Sequence, residues 1–161
     1  MIFENLNKIK KKKFFAIIVG SGPAGISTAL KLEKNGFDSL ILESGSADYN
    51  FNSQKYLDGD VIGDKYSDLK ISRLKQFGGS SGHWGGNCNT LKEKDFSDWP
   101  IKKGDLDIYE REASKILNIK KKFYNKKFSE NLNYFNTEYS NVKFYEKYFE
   151  YIKRSKKISL S

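Results

Sequence analysis

Three observations in the first 43 residues predict an α/β fold. Residues 14–19 (Phe-Phe-Ala-Ile-Ile-Val) form an unbroken apolar run of strand length. That run passes directly into Gly20-Ser21-Gly22-Pro23-Ala24-Gly25, and a second apolar run, Leu40-Ile41-Leu42, ends in Glu43. A stretch apolar at every position suits a buried parallel strand. Between loop and second strand, Gly22, Gly25, Ala29 and Leu32 share one helical face, and Gly36 stands where that helix should stop. Strand, glycine loop, helix, strand and acid make a dinucleotide-binding βαβ unit. The expected class is therefore α/β, a Rossmann-like FAD/NAD(P)-binding domain.

Each position in the unit has a physical reason. Gly20 lets the chain turn out of the strand, Gly22 lets the backbone approach a pyrophosphate without an intervening Cβ, and Gly25 lets the helix pack close to the sheet. The helix N-terminus, reached through Ser21, Pro23 and Ala24, presents unpaired N–H groups and a partial positive charge to phosphates. Glu43 is placed to accept hydrogen bonds from an adenosine ribose, with Ser44 beside it. A P-loop is excluded, because Gly25 is followed by Ile26-Ser27 and not by Lys-Ser/Thr.

Length and composition set the organisation. A chain of 161 residues holds one ordinary domain plus extensions, and 15% aromatic content supplies buried area despite a charged fraction of 30%. We expect a basic leader over residues 1–13, an FAD-binding α/β domain over 14–118, and a basic, aromatic-rich helical extension over 119–161. The net charge of +9 invites a nucleic-acid reading, but the lysines alternate with acids through much of the chain, and the cluster from Lys8 to Lys13 reads as a solvated lead-in. The single cysteine, Cys88, allows no intrachain disulfide and reads as a buried structural thiol. With no apolar stretch long enough to span a bilayer and no cleavage pattern after the lysines, the expected location is cytoplasmic.

Beyond Glu43, residues 47–70 read as loop with a short strand near Val61-Ile62. Arg73 then leads to Phe77-Gly78-Gly79-Ser80-Ser81-Gly82-His83-Trp84-Gly85-Gly86. This segment is too glycine-rich for a helix interior, yet it holds the only histidine beside a tryptophan. That composition suggests backbone packed against a flat ligand, where an ordinary linker would be the bland alternative. Leu106, Tyr109, Ala113 and Ile116 recur at helical spacing after Trp99-Pro100, with Asp105 as N-cap, and read as core. Val142, Tyr145, Phe149 and Ile152 suggest a further helix, whose second aromatic face (Phe144, Tyr148, Tyr151) asks for partners on both sides.

These motifs together resemble the N-terminal part of a glucose-methanol-choline (GMC) oxidoreductase, a family of FAD enzymes that oxidise alcohols. The resemblance rests on the glycine loop, on Leu42-Glu43-Ser44-Gly45, on Arg73 with the Gly78-Gly79-Ser80-Ser81 loop, and on Trp99-Pro100 with Leu106 and Tyr109; His83-Trp84 is similar to the sugar-oxidising, pyranose oxidase-like branch. It implies that Gly78, Gly79, Ser80, Ser81 and His83 lie against the isoalloxazine, with His83 as the residue that bonds the flavin covalently in some relatives. A noncovalent contact or a satisfied loop histidine remains open. The resemblance also implies a catalytic histidine pair that nothing here matches, so the chain resembles a truncated portion that lacks its substrate half. An alcohol or sugar substrate and a missing C-terminal half or companion chain follow as expected partners. The rival reading is a catalytically inactive nucleotide-binding or interaction protein.

Overall fold

The computed structural model describes Phe3, Asn7 and residues 9–119 and 138–161. In chain order the elements are β1 (Ala16–Val19), α1 (Pro23–Lys34), β2 (Ser39–Leu42), α2 (Phe51–Gln54), α3 (Leu69–Ser72), β3 (Asn87–Cys88), α4 (Lys103–Asp107), α5 (Glu110–Ile116), β4 (Glu138–Tyr139), α6 (Phe144–Arg154) and β5 (Ile158–Leu160), with short 3-10 turns between some of them. They form two compact units, one of residues 1–84 with 143–161 and one of residues 85–142.

The first unit holds a three-stranded sheet in the order β1-β2-β5, parallel throughout. The βαβ expectation is met: Ile17 pairs with Leu40 and Val19 with Leu42. Pro23 opens α1 at its first helical position, where a missing N–H costs nothing. Gly36, at φ +84°, takes the left-handed conformation that ends the helix. By register, Ala16, Ile18, Ser39, Ile41, Ile158 and Leu160 share one face, and α1 and α6 both pack there. Ile26 and Ala29 of α1 and Phe144, Tyr148 and Ile152 of α6 are buried with Ile41 and Ile158. Each large apolar side chain so buried contributes roughly 1.5–3 kcal/mol before entropy is counted.

Residues 143–161 are thus not part of an extension beyond the α/β domain. Ile158–Leu160 supply the third strand, and α6 is the crossover helix that delivers them. The expected aromatic helix is present, but its buried residues fall at 144, 148 and 152, while Phe149 meets Phe77 edge-on at 5.3 Å. Two faces are used, as the aromatic pattern required. Residues 120–137 of the expected extension lie outside the described residues.

The leader contributes as well as solvating. Lys10, Lys11, Lys12 and Lys13 are exposed, but Ile9 is buried and the Phe3 N–H donates to the Leu160 carbonyl at 2.7 Å. No strand forms at Val61-Ile62, where both side chains are exposed. The neighbouring turns are fixed instead by Asn50, whose side chain caps α2, and by Asp68, which caps α3.

In the second unit β3 and β4 pair antiparallel, Asn87 with Tyr139. Ser140 joins this unit together by donating its hydroxyl to the Leu117 carbonyl at 2.5 Å. The expected helix after Trp99 is broken into α4 and α5. Asp105 is not its N-cap: it stands three residues in and accepts the Lys102 N–H at 2.9 Å. Leu106, Tyr109 and Ala113 do not form core among the described residues; they line a cavity of about 240 Å³ with Leu91 and Phe96. Cys88 is half-buried, its thiol 3.5 Å from the Gly86 carbonyl.

Glu33 ties α1 to α6, accepting from the Tyr151 hydroxyl at 2.7 Å and the Ser155 hydroxyl at 2.5 Å. Glu33→Ala should lower unfolding free energy by about 1 kcal/mol, the scale of partly exposed hydrogen bonds, as read by chemical denaturation. The bond to Glu33, then burial, holds the Tyr151 phenol above its ordinary value of 10.0. Because the folded-state value is raised, this stabilisation is present below about pH 10 and lost as pH climbs through the raised value. Tyrosinate absorbance should therefore appear at lower pH in the variant than in the parent.

Candidate functional site

The site is built at the ends of β1 and β2. Gly20, at φ +94°, turns the chain off β1, and its N–H donates to the Leu42 carbonyl at 2.7 Å. Gly22 caps α1 in extended conformation, with its side open: an added Cβ would meet no atom within 4 Å, and the same holds at Gly20. Gly25 is the opposite case. A Cβ there would sit 2.1 Å from the Gly20 carbonyl oxygen, so only glycine permits this approach of helix to loop.

Ser21, fully buried, connects three segments. Its N–H and hydroxyl donate to Glu43 Oε2 at 2.9 and 2.6 Å, and the Gly45 N–H donates to Oε1 at 2.7 Å. On its other side, the Ser21 carbonyl and hydroxyl oxygens each lie 3.1 Å from the Gly78 N–H that donates to them. The glycine loop, the acid and the second glycine loop are therefore bonded to one residue. A carboxylate offers about four acceptor positions, so Glu43, half-buried and holding three donors, keeps capacity for another hydroxyl.

Gly78 and Gly79 both have positive φ, +87° and +56°. A Cβ on Gly78 would lie 2.6 Å from the Tyr145 nitrogen, and one on Gly79 would touch the Gly22 Cα at 3.4 Å. The second loop thus lies on the first, backbone against backbone. The Ser81 hydroxyl donates to the Gly78 carbonyl at 2.7 Å and accepts from the Phe144 N–H at 3.1 Å, fastening the loop to α6. Ser80 accepts from the Leu74 N–H at 3.2 Å. Both serines, expected against a cofactor, spend these hydroxyl bonds on shaping the loop.

His83 ends the 3-10 turn Gly79–Gly82 and is exposed. Its Nδ1 lies 3.1 Å from the Ser80 carbonyl and its Nε2 3.2 Å from that of Ile71. A neutral imidazole has one N–H and can donate to only one of these. Arg73 and Ser44 are exposed, and Arg73 follows α3 as its C-cap. The structure thus brings together Ser21, Gly22, Gly25, Glu43, Gly78 and Gly79, while Arg73, Ser44 and the His83 ring stand outside the bonded network just described.

Two site-building residues escaped sequence reasoning. Gln54 is buried, donates to the Lys70 and Arg73 carbonyls at 2.7 and 2.5 Å and accepts from the Lys75 N–H at 3.1 Å, fixing the approach to the second loop. Nothing in its surroundings separates this glutamine from the polar residues beside it. Gly45 is the other, since a Cβ there would lie 2.3 Å from the Lys75 carbonyl; it was legible only as part of a motif.

Residues 18–47 match the family model of an NAD(P)-binding Rossmann-like domain. The match runs from the end of β1 through the loop, α1, β2 and Glu43, and agrees with the parallel sheet in identifying a Rossmann-like nucleotide-binding fold. No curated protein matches the chain. Among the described residues no helix is long and apolar enough to cross a membrane, and no His, Cys, Asp and Glu cluster fit for a metal occurs.

The contrast between the glycines is testable. Gly25→Ala should cost about 1–3 kcal/mol of stability, because a methyl is forced onto the Gly20 carbonyl. Gly22→Ala should change stability by less than about 0.5 kcal/mol, since the methyl enters open space. Denaturant unfolding of the two variants measures both, and equal costs would contradict the packing described.

Proposed function

We propose that this chain is the flavin-binding half of an FAD-dependent oxidoreductase of the GMC type, acting on CH–OH groups of alcohols or sugars. The observation that carries the reading is the bonding of the Gly78-Gly79 loop to the Gly20–Gly25 loop through Ser21. An ordinary NAD-binding βαβ unit has no need of a second glycine loop laid on the first, whereas a dinucleotide with a large planar flavin at its far end does. The open space over Gly20 and Gly22 fits the group: a pyrophosphate can approach the start of α1 where an added Cβ meets nothing. In this reading Gly20, Gly22 and Gly25 form the pyrophosphate cradle and Glu43 accepts from the adenosine ribose. Gly78, Gly79 and His83 flank the isoalloxazine.

When bound, FAD would supply the hydride acceptor for carbinol oxidation. The chain's own residues bind and orient it; none removes the substrate's hydroxyl proton. General base catalysis requires a group within hydrogen-bond reach of that proton, and His83, the only histidine, belongs to the flavin loop. The base and the substrate surface come from further polypeptide. The matched family's description favours a second reading, NAD(P) as the dinucleotide.

Titration of the chain with FAD and NAD decides between these. FAD should bind more tightly, and Glu43→Ala should weaken FAD by about 1–3 kcal/mol through loss of a charge-assisted bond. Tighter NAD binding would remove the flavin assignment. With FAD loaded, the chain alone should not bleach anaerobically on adding an alcohol or sugar; bleaching would show that a base is present after all.

A further inference from the structure

The nucleotide-binding end leaves unused the cavity of the second unit. It holds about 240 Å³ between the segment at Leu91, the 3-10 turn Glu93–Phe96 and helices α4 and α5, so it lies wholly within that unit. Leu91, Phe96, Leu106 and Ala113 make its apolar wall. Phe96 is buried and meets the Trp99 ring edge-on at 5.6 Å, which fixes the floor, whereas Leu91 and Tyr109 on the lining are 42% and 53% exposed. The cavity therefore opens to solvent. Sites for drug-sized ligands run from about 300 Å³ upward, so the space suits a single ring or a short chain.

Charge on the lining selects the occupant. Lys103, Asp107 and Glu110 border the same cavity, and the Lys103 ammonium is bonded to Asp107 at 2.5 Å. That pair cancels, and Glu110 remains as the lining's uncompensated charge. The bond to Asp107 holds Lys103 above its ordinary value of 10.5, and Asp107, Glu110 and Glu93 add to this through space. The local field is thus one of excess carboxylate. The Tyr109 ring, exposed beside Glu110 in sequence, adds a face that attracts cations. An anion would instead meet two carboxylates and a lysine already bonded. The chain's net charge of +9 opposes a cation at long range, but at physiological salt such repulsion is screened beyond about 8 Å. We propose that this cavity binds a small organic cation, an ammonium group carried on one aromatic ring or a short alkyl chain. The apolar body lies against Leu91, Phe96, Leu106 and Ala113, and the ammonium lies at the mouth near Glu110 and the Tyr109 ring.

This site is independent of the flavin reading, because neither glycine loop contributes to it. The probe is phenethylammonium, added to the full chain, with phenethyl alcohol and hydrocinnamate as neutral and anionic controls of the same ring. Amide chemical shifts of residues 90–113 should move on titration, and the ammonium should bind roughly fivefold more tightly than the alcohol, the scale of an exposed ion pair joined to a cation–π contact. Hydrocinnamate should bind more weakly than either. Glu110→Gln, at an exposed position, should bring the ammonium down to the affinity of the alcohol and leave the alcohol unchanged. Ala113→Leu should fill the cavity and abolish binding of both without lowering the thermal unfolding midpoint; should that leucine not be accommodated, the Glu110→Gln comparison decides alone. Absence of binding, equal binding of the three probes, shifts confined to other residues, or an unchanged affinity for the ammonium in Glu110→Gln would overturn the proposal.

Discussion

The hydrogen bonds of Ser21 are the constraint on which the rest of the nucleotide-binding end depends. One buried serine holds segments that are 22 and 57 residues away, through Glu43 and Gly78. Its N–H and hydroxyl meet a carboxylate, so these bonds are of the charge-assisted kind that outweigh neutral ones about twofold. Because the same hydroxyl also receives the Gly78 N–H, the acid at the end of β2 and the backbone of the second loop cannot shift independently. Gly25 and Gly79 then close the remaining space, one by bringing α1 onto the Gly20 carbonyl and the other by laying backbone on Gly22.

This arrangement extends to α6. Ser81 connects the second loop to the first turn of that helix, and Phe77 packs on Phe149. The helix in turn delivers β5 to the free edge of β2 and is clamped to α1 by Glu33. Sheet, both helices and both glycine loops thus form one closed circuit within the first unit. A ligand held by the loops would draw on the packing of the whole unit and not on two flexible turns.

What was legible in the sequence was what short-range physics dictates. The glycine spacing, the apolar runs and the stop at Gly36 each follow from steric or hydrogen-bonding demands within a few residues, and the βαβ unit stands as read except that the run containing β1, expected to be buried, leaves Phe15, Ile17 and Val19 exposed. The second glycine loop stood out by its composition, though not its attachment to Ser21. Residues that act at long range were hidden. Ile158–Leu160 is a three-residue strand with no alternation to announce it, and its partner lies far upstream. Gln54 carries no pattern at all. The stripe from Leu106 to Ala113 shows the converse error: helical periodicity marks a shared face, but only packing decides whether that face is covered, and here it borders a cavity. Val61-Ile62 had β-branched residues but no neighbouring strand to pair with, and propensity alone does not make a sheet.

The pairing of β2 with β5 has a consequence for the order of events as the chain is made. Ser39 meets Ile158 119 positions further along the sequence, and closing a loop of that length costs about 4 kcal/mol in the logarithmic term alone. Until residue 160 has left the ribosome, β1, α1 and β2 stand without the third strand and without α6, which packs beside α1. The nucleotide loop is encoded early but reaches its supported form late, so synthesis is separated from binding competence by most of the chain's translation time.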